Sequence, residues 1–132
     1  MKIKWLRVLV GGFLIEVVLG VVLTGGFAAA GIDISKGVTS GSATVIGVGC
    51  FVAAFAVALW LCRGVVDHAG LHGFLMGLVG TLLYIALVAG DGQWSAALAA
   101  YGTVTFAIVN GLRIVGGALG GIMSRRQRPV PT

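Results

Sequence analysis

Four long apolar runs, parted by three short polar connections, organise this chain. The runs cover residues 5–30, 42–62, 71–90 and 94–123. Each is about as long as, or longer than, the roughly 20 residues a helix needs to cross about 30 Å of hydrocarbon. None alternates polar with apolar positions, and all are far longer than a barrel strand of about 10 residues. The pattern therefore predicts four membrane-spanning helices. The connections at 31–41 (GIDISKGVTSG), 63–70 (RGVVDHAG) and 91–93 (DGQ) carry turn formers and charge. The two shorter ones force antiparallel neighbours, so the expected fold is an all-α integral membrane protein, an up-down bundle forming one domain over residues 1–132.

Small residues recur at four-residue spacing inside the runs. Gly12 and Gly20 flank Glu16 in the first, Cys50, Ala54 and Ala58 follow one another in the second, Gly73 and Gly77 lie in the third, and Gly116, Gly117, Gly120 and Gly121 in the fourth. Such a ridge lines one helix face and lets backbones approach closely, where dispersion replaces the hydrophobic drive that lipid removes. Gly12, Gly20, Gly73, Gly77 and Gly117 are accordingly expected to pack helix on helix. The same ridges suit a homo-oligomer or another membrane protein as partner, beside the bilayer itself.

Composition points the same way. Hydrophobic residues make up 58% of the chain and charged ones 10%, against roughly 25% charged in a soluble domain. That leaves too little polar surface to clothe a water-soluble core. The formal charge of +5 does not point to nucleic acid, because its placement is that of a topology signal. Lys2, Lys4 and Arg7 precede the first run, Arg125, Arg126 and Arg128 follow the last, and Arg63 lies in the middle connection. The opposite side holds only Lys36, Asp33 and Asp91. The positive-inside rule then puts both termini in the cytoplasm, with Trp5 and Trp60 at one interface and Trp94 at the other. Residues 2–7 and the Ala28-Ala29-Ala30 sequence also fit a secretory signal, but the long run and the interrupting Glu16 favour a retained span. The basic tail at 124–132 fits attraction to anionic lipid.

Few residues can carry chemistry. Glu16 falls ten residues beyond Leu6, about 15 Å deep. An ionisable group there costs at least about 2.5 kcal/mol unless it is paired, hydrated or neutralised by a proton. Arg113, ten residues before Met123, reaches the same depth and is the expected partner, with Asn110 three residues earlier on the same face. The fourth run is long, however. If Trp94 marks the interface, Arg113 snorkels to the headgroups; if Trp94 lies outside, Arg113 is buried and must pair. His68 and His72, with Cys62 nearby, have a weak metal-compatible spacing, but interfacial solvated residues are the expectation and no metal site or cofactor is assigned. Cys50 and Cys62, twelve apart on one helix, cannot form a disulfide with each other. No hydrolase, zinc-protease or phosphate-loop motif is present, so no enzyme is expected.

Two resemblances bear on function. The segment Leu71-His72-Gly73-Phe74-Leu75-Met76-Gly77 with Tyr84, followed by Leu112-Arg113-Ile114-Val115-Gly116-Gly117 and a basic tail, resembles small four-span bacterial membrane proteins without assigned function. That resemblance implies the bacterial inner membrane. The stretch Gly11-Gly12-Phe13-Leu14-Ile15-Glu16 is similar to the first helix of the small multidrug resistance family. This second resemblance implies Glu16 as a shared proton and substrate site in a proton-coupled exporter. The expected function is a non-enzymatic structural, assembly or subunit-type bundle with an intramembrane Glu16–Arg113 interaction, and the exporter is its alternative. A pore lined by Thr103, Thr105 and Asn110 is a weaker third reading.

Overall fold

The computed structural model describes residues 3–33, 39–65 and 67–125. Lys2, Lys36 and the basic tail from Arg126 onward lie outside the described residues. Helix α1 spans Trp5–Ala30, α2 Ser40–Leu61, α3 Ala69–Gly90, α4 Trp94–Tyr101 and α5 Thr103–Ser124, and a 3-10 turn at Cys62–Gly64 follows α2. Helices α1, α2, α3 and α5 are each long and apolar enough to cross a membrane, and α2 with its 3-10 turn does so over Ser40–Gly64. This is a multi-pass, all-α membrane bundle.

The helix ends follow from local chemistry. Gly31 stops α1 in the left-handed region (φ 64°), returning its N–H to Ala28 while the Ile32 N–H bonds Phe27 O. Helix α2 starts two residues earlier than the apolar run, because Thr39 and Ser42 form a reciprocal capping box. Helix α3 likewise begins before Leu71: His68 occupies its N-cap at φ 54°, and Gly70 sits within the first turn rather than breaking it.

The fourth run departs from expectation. One helix over 94–123 would rise about 44 Å, well beyond the hydrocarbon thickness. Gly102 divides it at φ 71°, ψ 145°, a backbone region that side chains other than glycine's rarely enter. The eight-residue α4 buries none of its residues and folds back so that Trp94 and Tyr101 pack edge-on against Phe106, at 5.6 and 6.4 Å between ring centroids. Only α5 then spans, and Arg113 moves to its middle.

The bundle is a square with unequal diagonals. Both α2 and α3 pack against α1 and against α5, and they touch one another, whereas α1 and α5 occupy opposite corners. The starts of α1 and α3 and the ends of α2 and α5 gather at one end. There the Lys4 N–H donates to His72 Nε2 at 3.0 Å, and Arg7 Nη1 donates to Leu61 O at 3.2 Å, supplying a cation to the C-terminus of α2. Two buried clusters fill the interior. Ile15, Ala54, Ala58 and Met76 lie in the cluster at the termini end, and Leu19, Ile46, Cys50 and Val109 in the other. The outward faces are apolar, with Leu6, Phe13, Val21, Leu87 and Val104 all more than half exposed, as lipid contact requires.

Glycines set the helix spacing on two seams of α5. Toward α3, a Cβ on Gly73 would collide with Gly117 O, one on Gly117 with Gly73 O, and one on Gly121 with Ala69 O. A Cβ on Gly77 would lie 2.8 Å from Arg113 O. Toward α2, Cβ atoms on Gly116 and Gly120 would run into the carbonyls of Phe51 and Phe55. Gly12 performs the same service between α1 and α3, against Val79 and Gly80. Gly20 does not: it is exposed, with nothing within 4 Å of its would-be Cβ, because it borders an open hollow toward Ile46 and Tyr101 instead of a closely packed helix. The expectation that Gly20 packs within the bundle is thereby corrected.

Candidate functional site: a buried ion pair beside a small chamber

Glu16 and Arg113 meet across the longer diagonal of the square. Arg113 is 2% exposed and Glu16 18%, and Nη1 lies 3.0 Å from Oε1. The approach has ion-pair distance without hydrogen-bond alignment, so Arg113 Nε and Nη1 and Glu16 Oε1 are buried with no aligned partner. Arg113 Nη2 donates to Cys50 Sγ at 3.6 Å, a weak contact, and its guanidinium lies over the Tyr84 ring at 5.2 Å from the centroid. One cation is therefore held by α1, α2 and α3 together.

Gly80 makes this convergence possible. Its would-be Cβ would be 3.2 Å from Glu16 Oε1, 3.3 Å from Gly12 O and 3.6 Å from Arg113 Cδ, so the pair passes through space that a side chain would occupy. The snorkelling alternative for Arg113 is overturned, since the break at Gly102 leaves its side chain within the bundle rather than near an end of α5.

Beside the guanidinium lies a chamber of about 50 Å³. Arg113, Asn110, Cys50, Tyr84 and Tyr101 supply its polar wall, and Leu19, Phe106 and Val109 are among its apolar lining. Asn110 is 7% exposed and donates Nδ2 to Phe106 O at 2.9 Å, one helical turn back, while its Oδ1 has no partner. Asn110 thus lines the same chamber as Arg113 and does not bond the ion pair. Leu23, Ile46 and Tyr101 also border a wider hollow of about 330 Å³ that includes Gly20, Thr24 and Phe27. Glu16 lines neither space.

His68 and His72 are not brought into a ligand set. His72 is buried with both ring nitrogens engaged: Nδ1 donates to His68 O at 3.0 Å and Nε2 accepts from Lys4. His68 is exposed, and among the described residues no group of three or more His, Cys, Asp or Glu could hold a metal. Cys50 and Cys62 are free and buried.

Cys50, Gly80, Tyr84 and Tyr101 are the participants that sequence reasoning missed. Cys50 sat on a small-residue ridge that also marked its buried face. Tyr84 stood out only as part of a resemblance that assigned it no role, and Gly80 and Tyr101 offered no signal for this site.

No family model matches the chain, and no curated protein or solved structure matches it either.

Proposed function

We propose that the protein is a non-enzymatic, structural or subunit-type bundle of the bacterial cytoplasmic membrane, with both termini on the cytoplasmic side. In this reading the Glu16–Arg113 pair selects one arrangement of the four spans. The observation that carries it is the 3.0 Å contact between residues at opposite corners of the square. A charge buried in lipid without its partner is expensive, so only the arrangement that brings the two together is favourable. The Lys and Arg bias toward the termini end supports the orientation.

The alternative, a proton-coupled exporter using Glu16, has less support. Glu16 engages Arg113 and lines neither the chamber nor the wider hollow, and the polar chamber of about 50 Å³ is far smaller than the roughly 300–1,000 Å³ of drug-sized sites. The test is Glu16→Gln in detergent, in chloride-free gluconate buffer, with thermal unfolding followed by circular dichroism. The structural reading expects a loss of about 3 kcal/mol or more. Unchanged stability, together with proton flux into proteoliposomes that the substitution abolishes, would move the assignment to the exporter.

A further inference from the structure

Among the described residues, α4 is the one α-helix that buries none of its own. The backbone hydrogen bonds at its ends, Ala97 N–H to Gln93 O and Gly102 N–H to Leu98 O, stay within the helix and its caps. Its hold on the bundle is aromatic. Trp94, its first residue, and Tyr101, its last, both rest edge-on against Phe106 of α5. A short helix secured by two ring contacts belongs to the low-stability end of a structure, from which moving elements are drawn.

Glycines stand at both of its junctions. Gly92, two residues before α4, has φ 68°, and Gly102, directly after it, has φ 71°. A Cβ at either position would meet nothing within 4 Å, so no neighbour wedges these joints. Glycine rotates about φ on either side of zero at little cost, and a few element-terminal residues of this kind suffice for a hinge. The eight residues between them can therefore swing as one unit.

The swing has a consequence, because Tyr101 stands between two spaces. It lines the chamber of about 50 Å³ together with Cys50, Asn110 and Arg113. It also lines the hollow of about 330 Å³ near the end opposite the termini. Leu23 and Ile46 border both spaces too, but they sit on α1 and α2, and moving them would unpack a whole span. Tyr101 alone of the three rides on an element that can leave while every span stays in place.

We propose that α4 is a lid hinged at Gly92 and Gly102 and latched by Trp94 and Tyr101 on Phe106. Its opening joins the hollow to the polar chamber and admits water and small solutes to Cys50 and Asn110 from the end opposite the termini. This goes beyond the structural reading of the ion pair and does not depend on it.

The experiment measures how fast methyl methanethiosulfonate, a small thiol reagent, caps Cys50 and Cys62 in the full-length protein in detergent, each site read by peptide mass spectrometry. Both thiols are buried, and Cys62 lies in the cluster at the termini end, so it reports loosening of the whole bundle. Trp94 lines neither space, so Trp94→Ala opens no hole beside Cys50 and acts only by weakening the latch. Loss of one such ring contact shifts an equilibrium by up to about tenfold. Wild type, with its latch intact, sets the baseline. Trp94→Ala should speed the capping of Cys50 by about tenfold and leave Cys62 unchanged. If Trp94→Ala does not fold, Gly102→Ala, which strains the closed hinge, decides in its place with the same expected result. The proposal is overturned if Cys50 keeps its wild-type rate in the deciding variant. Equal acceleration of Cys50 and Cys62 overturns it too.

Discussion

Replacing Gly73 by alanine adds a single carbon where α3 and α5 touch backbone to backbone. The new Cβ would collide with Gly117 O and lie 2.9 Å from Gly117 C and 3.1 Å from Gly121 N, where ordinary contact begins at 3.4 Å. All three neighbours are backbone atoms, so no side chain can swing aside. The helices must part by about an ångström, which forfeits up to about half of the dispersion energy along the seam. Overpacking of this kind costs about 1–3 kcal/mol. Alanine's better helix propensity offsets at most about 1 kcal/mol of that. Gly111, on α5, is the matched control, because nothing lies within 4 Å of its would-be Cβ. Gly111→Ala should leave stability unchanged or raise it slightly. Chemical unfolding in mixed micelles, read by circular dichroism, separates the two variants. Equal effects at Gly73 and Gly111 would refute close backbone approach as the determinant of the α3–α5 seam.

Three other expectations follow from single sites. Gly102→Ala meets no neighbour, so its cost is backbone strain alone, about 1–3 kcal/mol, released by detaching α4. Fluorescence of Trp94, with Trp5 and Trp60 replaced by Phe, should then lose the signature of packing on Phe106; an unchanged spectrum would contradict it. His72→Phe removes both the acceptor for the Lys4 N–H and the donor to His68 O, and should cost about 1–3 kcal/mol with faster amide exchange at Lys4. Unaltered exchange there would show that the bond does not tie α1 to α3. Cys50 and Cys62 are buried, so maleimide should label neither until the bundle unfolds.

Much of this architecture is readable from residue order. Apolar runs of span length located the four helices, because lipid leaves the backbone no alternative to satisfying itself within each helix. Counting ten residues inward from Leu6 and from Met123 placed Glu16 and Arg113 at one depth, and the structure joins them. Four-residue glycine spacing at Gly73, Gly77 and Gly117 marked a true seam. The same spacing misled at Gly20, since a ridge shows that a helix can be approached and not that a neighbour is there. The break at Gly102 was foreshadowed by a run too long for one crossing, but nothing in the letters fixed which residue turns. Cys50, Tyr84 and Gly80 gain their roles only when three helices converge on Arg113, a property of the assembled square and of no single segment.

The ion pair across the bundle is tested most directly by a double-mutant cycle, with Glu16→Gln, Arg113→Gln and both changes together, unfolded in chloride-free buffer. Each single change strands the other residue and should cost about 3–5 kcal/mol. The double variant removes both charges, so it should recover part of that loss, with a coupling energy of about 1–3 kcal/mol. Losses that simply add, with no coupling, would contradict the pair and the account built on it.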